Sequence, residues 1–276
     1  MATEFFTNSS KSADNLVNEL NYLDYKCKDT TLMAPFSENH DQPRFASYTD
    51  DMVLAKNIIA FTMLSDGIPI STYHQKTYPP TSQLVSTLSA LLFFLYKDPP
   101  SNTSRPSPPT SVYQGQEQHY NGTDDPYDRE ALWLSSYNTT APLYQFIKSL
   151  NAIRQLAIAK SSSSSYLTSH SKIIHNDTNT IAIRKGSEPG GSMVLMVVNN
   201  RGQEAERYNI EVADVGFEVG VRVLDVLACG EGVVVGSGGG LNVTVLGGMP
   251  AQYRLVRSLR KSTPTNLNSD TQILWV

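Results

Sequence analysis

The sequence predicts an α/β segment followed by an all-β domain, and three observations carry that prediction. Helical periodicity alternates with short apolar runs as far as residue 160. A run of five serines, Ser161–Ser165, then breaks the pattern. Beyond it the chain is a series of short, β-branched segments separated by Gly, Asn, Glu or Pro.

Leu16, Val17, Leu20 and Leu23 recur at helical spacing behind Ser12, a good N-cap, so residues 13–26 are expected to form an amphipathic helix. TLMAPF (31–36) reads as a short buried strand. A second helix is expected from Asp51 to Leu64, with Met52, Ala55, Ile58, Ile59 and Met63 on its apolar side. Asp66-Gly67 would close it as a glycine C-cap before the apolar GIPI. Leu143, Phe146, Ile147, Leu150 and Ile153 mark a third helix over 141–160. Helices alternating with strands imply a parallel sheet. After the serines, TIAIRK, SMVLMVVNN, YNIEV, VRVLDV, GVVVG, LNVTVL and QYRLV have the length and punctuation of an antiparallel β-sandwich.

The chain has 276 residues, enough for one large domain or two ordinary ones. Its 22 basic and 26 acidic side chains make up only 17% of it, against roughly 25% in an average soluble protein. Neither sign dominates, so the composition holds no broad electrostatic footprint for nucleic acid or an anionic membrane, and an uncharged partner is expected. Cys27 and Cys229 lie far apart and make neither a disulfide framework nor a zinc-ligand spacing. Asn-x-Ser/Thr sequons at Asn8, Asn102, Asn121, Asn138, Asn176 and Asn242 suit a secreted glycoprotein, although a Ser/Thr/Asn-rich chain generates some by chance. The opening MATEFFTNSS has neither the basic nor the apolar region of a signal peptide, so either the protein is cytosolic or its true beginning is missing.

Residues 71–111 fit neither pattern. Ser, Thr and Pro fill about half of them, yet LVSTLSALLFFLY (84–96) is apolar. Its thirteen residues fall short of the roughly 20 that cross a bilayer as a helix, so a membrane span is not expected. A structureless loop of this length inside a compact domain points to an insertion.

The densest polar cluster is Glu38-Asn39-His40-Asp41, followed by Pro43-Arg44-Phe45, directly after the expected strand 31–36. In βα architectures functional side chains gather at the C-terminal ends of strands, where a carboxylate beside an imidazole can stabilise positive charge or hold a sugar hydroxyl. The alternative is an ordinary loop using Asn39 and Asp41 as turn formers. Position alone does not choose between them.

FSENHDQPRFASY, AKNIIAFTMLSDGIPI, YQGQEQHYNGTDDPYDREALWLSSY and LYQFIKSLNAIRQLAI resemble the final third of a fungal α-amylase catalytic barrel, in the α-amylase glycoside hydrolase family. The β-rich remainder, down to GGMPAQYRLV, is similar to that family's C-terminal Greek-key domain. The likeness leaves out the first few residues, 71–111 and the tail after Val256. It implies a partial TIM-type (β/α)₈ barrel over 1–160, a linker at 161–166 and a β-sandwich over 167–257; the remaining 258–276 is expected to be a disordered tail.

Carried over position by position, Asp41 matches the family's third catalytic carboxylate, which stabilises the oxocarbenium-like transition state. His40 matches the imidazole on the same sugar ring, and Asp125 and Arg129 the pair that holds the adjoining glucose. Glu117, in Gly115-Gln116-Glu117, is expected to support by hydrogen bonding, and Arg44 to sit in a structural salt bridge. Trp133 and Tyr137 are expected in the core, as are Tyr208, Phe217 and Tyr253.

A retaining glycosidase needs a nucleophilic carboxylate and a separate acid/base carboxylate. The family carries both on earlier barrel strands, and neither motif occurs here. The ligands of its structural calcium are expected upstream too, so calcium is implied for the full-length enzyme and not for this chain. By the same resemblance Cys27 and Cys229 are both left unpaired. A barrel without most of its strands cannot close, which leads us to expect residues 1–160 to be unstable or aggregation-prone alone. Deleting 71–111 joins GIPI to VYQGQEQHY and restores an uninterrupted eighth strand, so a translated intron competes with an evolved loop as the account of the insertion.

The resulting expectation is an α-amylase-like enzyme acting on α-glucans such as starch, glycogen and maltooligosaccharides, monomeric, extracellular in its parent form, and inactive as this truncated chain. A non-catalytic glucan-binding protein built on the sandwich and a membrane-tethered relative anchored by 84–96 are the alternatives.

Overall fold

The computed structural model describes residues 2–67, 112–161, 165–186, 193–228 and 232–255. The insertion 71–111, its apolar run 84–96, Cys229 and the tail 258–276 therefore lie outside the described residues.

Helix α1 (Ala2–Phe6) precedes the first predicted helix and puts Phe5 and Phe6 into the core, where the Phe6 ring meets Phe61 at 5.7 Å. Helix α2 spans Ala13–Lys26, as its periodicity requires, and the Ser12 hydroxyl accepts the Asp14 amide at 3.2 Å as the N-cap. After the single turn α3 (Phe45–Tyr48), helix α4 runs Met52–Leu64, with Asp51 accepting from the Val53 and Leu54 amides at 2.7 and 3.1 Å. It is buried on nearly every side. Helix α5 (Pro142–Lys160) starts with proline at a first-turn position that needs no amide donor, and packs Leu143, Phe146, Ile147 and Leu150 against α4.

Two local expectations are corrected. TLMAPF does not form a strand: Thr30–Leu32 is a 3₁₀ turn, Asp29 captures the Thr31 amide and hydroxyl at 2.9 and 2.6 Å, and Leu32 and Phe36 are 69% and 58% exposed. A strand needs a neighbour for its backbone groups, and among the described residues no strand precedes Lys172. Gly67 is likewise not the C-cap of α4. The cap residue Ser65 is extended, and buried Arg154 of α5 instead donates from Nη1 to the Met63 carbonyl at 2.9 Å. Gly67 is required for another reason: its φ is +113°, and a Cβ there would collide with the Pro35 ring.

After the single turn α6 (Ser165–Thr168), eight strands follow: β1 (Lys172–Asn176), β2 (Thr180–Lys185), β3 (Val194–Asn199), β4 (Tyr208–Val212), β5 (Arg222–Asp225), β6 (Val233–Val234), β7 (Leu241–Val245) and β8 (Ala251–Leu255). All observed pairings are antiparallel, in a six-stranded sheet β1-β2-β3-β8-β5-β6 faced by the ribbon β4-β7. The period of two sorts the side chains of β2 and β3. Ala182, Leu195 and Val197 pack towards β4 and β7, with Phe217 and Tyr253 in the same core and Tyr208 half-buried against it. Ile181, Ile183, Met196 and Val198 face the other way, into one cluster with Phe6, Ile58 and Leu150.

Helices and sandwich thus share a core. Polar contacts sew the same seam: Asn57 of α4 donates to the Gly248 carbonyl at 2.9 Å and accepts from the Asn199 amide at 2.8 Å, fully buried. Asp66 accepts from Lys185 Nζ (2.7 Å), the Ser171 amide (2.6 Å) and the Thr30 hydroxyl (2.8 Å). Burial works to raise the Asp66 pKa, and the ammonium and these hydrogen bonds outweigh it and leave the carboxyl below its ordinary value.

Candidate functional site

The Glu38–Asp41 segment and the segment around Gly115 meet in space, and a buried arginine joins them. Arg44 is completely buried. Its Nη1 donates to Glu38 Oε2 (3.2 Å) and to the Gln114 carbonyl (2.7 Å), its Nε donates to Glu130 Oε2 (3.1 Å), and its guanidinium lies 4.1 Å from the centre of the Tyr113 ring. The Arg44 amide donates to the Gly122 carbonyl at 2.9 Å, and Glu130 Oε1 accepts the Gly122 amide at 2.7 Å. The expected structural salt bridge of Arg44 is present, with two carboxylates instead of one.

Burial dominates the electrostatics of this knot. It pushes the Glu38 carboxyl up to about 7 even though Arg44 and the Phe45 amide favour its charged form. Burial also raises Glu117, whose Oε2 accepts the Gly115 amide at 2.9 Å, a supporting contact of the kind expected of it. Gln116 Nε2 reaches back to the Ser37 hydroxyl at 2.7 Å. Asp128 points inward, fully buried, with neither carboxylate oxygen hydrogen-bonded, and Arg44 Nη2 is also without a partner.

On the solvent side of the knot the four sequence-predicted site residues come together. Arg129 is their hub: Nε lies 3.1 Å from Asp125 Oδ1 and donates to the His40 carbonyl at 3.2 Å, while Nη2 lies 3.9 Å from Asp41 Oδ1. His40 Nε2 lies 3.3 Å from the same Asp41 oxygen. Asn39 fixes the turn by accepting the Asp41 amide at 3.0 Å. All four side chains remain partly open, Asp41 most of all at 65%. Charged acceptors and donors at fixed separation and open to water are suited to the hydroxyls of a neutral sugar.

Sequence reasoning missed Glu130, because nothing in the spacing of DDPYDRE separates a carboxylate that turns inward from one that faces solvent. It also misplaced Trp133. The indole is 68% exposed on the 3₁₀ turn Leu132–Ser135, whose carbonyls are held by the Tyr120 hydroxyl, so the turn is anchored by its backbone and leaves the ring outside. Tyr137 is half-buried at φ +54°. Among the described residues, no three His, Cys, Asp or Glu side chains are placed to hold a metal ion.

Residues 173–264 match the family model described as "Alpha-amylase, domain C". Alpha-amylase 1 of Schwanniomyces occidentalis is 35% identical over 249 residues, covering 90% of this chain and 40% of that protein. The alpha-amylase of Saccharomycopsis fibuligera is 32% identical over 248 residues, with the same coverage of 90% and 40%. The solved alpha-amylase from Malbranchea cinnamomea superposes with a TM-score of 0.72 at 37% identity, over 92% of this chain and 43% of that one. The chain thus spans about two fifths of the length of these relatives.

Proposed function

We propose, from the premise that this chain carries domain C of the α-amylase family behind the closing part of an α-amylase barrel, that its site is one portion of the glucan-binding cleft of a retaining α-amylase-like glycoside hydrolase. The observation that carries the reading is the convergence of His40, Asp41 and Asp125 on Arg129.

In this reading Asp41 accepts hydrogen bonds from the hydroxyls of the distorted glucosyl unit at the cleavage point, and its charge opposes the positive charge that develops there. His40 contacts the same ring, and Asp125 and Arg129 hold the next unit by one acceptor and one planar donor fork. Holding Asp41 through Arg129 and His40 fixes its orientation before substrate arrives. The covalent route needs two further carboxylates, a nucleophile and a proton donor. The neighbouring carboxylate, Asp125, is already engaged by Arg129 at 3.1 Å.

We therefore assign to the 276-residue polypeptide on its own a partial sugar site without hydrolytic competence, and to the longer parent enzyme cleavage of internal α-1,4-glucosidic bonds of starch or glycogen, secretion and a calcium ion held elsewhere in the barrel. The expected partner is a neutral α-glucan, with no nucleic acid or membrane and a monomeric state. The purified chain is expected to release no reducing sugar from soluble starch. Robust release that disappears in Asp41→Asn would refute the assignment. The alternative of a glucan-binding sandwich has no support from exposed rings, since among its described residues the exposed large hydrophobics are the aliphatic Val219, Val234 and Leu246. No helix among the described residues is long and apolar enough to cross a membrane.

A further inference from the structure

We propose that Tyr127 is a stacking platform for an α-glucan, placed on the sugar-binding loop beside the Asp125–Arg129 pair. The inference rests on the glucan reading given above and adds a residue to it.

Tyr127 stands two positions from Asp125 and two from Arg129, at the apex of a tight turn in which the amides of Tyr127 and Asp128 both bond to the Asp124 carbonyl and the Arg129 amide bonds to the Pro126 carbonyl. Its backbone is pinned from the other side as well. The Tyr127 carbonyl is pressed so closely on Gly122 that a Cβ at residue 122 would run into it, and Gly122 is bonded through both its amide and its carbonyl into the Arg44–Glu130 knot. The residue that follows, Asp128, is wholly buried. With the main chain fixed and Asp128 turned inward, the phenol projects outward and is 71% exposed.

Other tyrosines are exposed on this molecule, Tyr22, Tyr25 and Tyr48 among them, but none is flanked by two side chains of the sugar-binding cluster. A large aromatic left in water on a rigid loop loses little conformational freedom on contact, so the apolar face of a pyranose can be covered at low entropic cost. The neighbouring Asp125 and Arg129 supply the directed hydrogen bonds that a ring face lacks. Rooted ring and polar pair thus divide the recognition of one stretch of glucan between its C–H faces and its hydroxyls.

The test is titration of the full chain with maltohexaose at millimolar concentration, followed by saturation-transfer NMR and calorimetry, with thermal melts as a folding control. Tyr127→Ala is expected to weaken binding about five- to tenfold and remove the transfer from aromatic protons to glucosyl protons, while Tyr127→Phe, which keeps the ring, rescues both. If the parent chain binds and Arg129→Gln weakens it, but Tyr127→Ala does not, the platform is refuted and the glucan reading stands. If the parent chain does not bind maltohexaose, both fall.

Discussion

Replacing Glu38 with glutamine is expected to flatten the dependence of stability on pH. Glu38 is 3% exposed in its side chain, between Arg44 Nη1 and the Phe45 amide, and burial moves its carboxyl from 4.5 to about 7. An acid whose pKa rises on folding binds its proton more tightly in the folded state. The folded chain then carries more protons than the unfolded one between the two values, and unfolding free energy falls as pH rises. The gap from 4.5 to about 7, at about 1.4 kcal/mol per pH unit, is worth about 3 kcal/mol. That stability is fully present below the unfolded value and is lost as pH climbs through the folded one. A glutamine oxygen can still accept the Phe45 amide, but its amide group then faces Arg44 Nη1, donor against donor, which costs about 1–3 kcal/mol at every pH. The slope, not the offset, is therefore the readout. Urea unfolding of both proteins at half-unit steps from about pH 5 to pH 8, followed by circular dichroism, isolates it, since groups not coupled to Glu38 cancel in the difference. Parallel curves for parent and variant would show that Glu38 stays ionised throughout and that Arg44 wins over burial.

Asp66→Ala tests the seam between helices and sandwich. It leaves the 3% exposed Lys185 ammonium without its carboxylate, and a loss of about 3–5 kcal/mol is expected in the urea midpoint at neutral pH; a change under about 1 kcal/mol would mean that the ammonium reaches water. Gly122→Ala tests the loop. The added methyl meets the Tyr127 carbonyl, so the 122–130 turn must shift, with an expected cost of about 1–3 kcal/mol and weaker maltohexaose binding than that of the parent chain; unchanged binding would show that the close approach does not set the position of Asp125 and Arg129.

The parts of the fold that were legible in the sequence are those whose signal is local. Ser12 and Asp51 mark the starts of α2 and α4 because a side-chain oxygen reaching an amide two or three residues on is a short-range event. β2 and β4 fall at TIAIRK and YNIEV because β-branched runs bounded by turn residues leave few other conformations. α1 was not legible, since five residues are too few for periodicity and its burial of Phe5 and Phe6 depends on α4. Neither was β1, whose His175 and Asn176 interrupt the apolar pattern and which is held by its register with β2. Trp133 failed in the opposite sense: composition favours a buried indole, and a backbone-anchored turn leaves it in water.

His40 and Asp41 follow the 31–36 segment closely in sequence but fare differently in the fold, and the difference lies in what holds each. A strand at 31–36 would take its hydrogen bonds from neighbouring strands; among the described residues none lies beside it, and Asp29 holds the backbone in a turn. Among the described residues, His40, Asp41, Asp125 and Arg129 border no strand. They hang from Arg44, which draws its partners from residues 38, 114, 122 and 130, all on the two loops it joins. A buried guanidinium that bonds Glu38, Glu130 and the Gln114 carbonyl at once favours the arrangement of the two loops that brings these acceptors together. Arg44 thus ties together the two loops whose residues 40, 41, 125 and 129 meet at one surface.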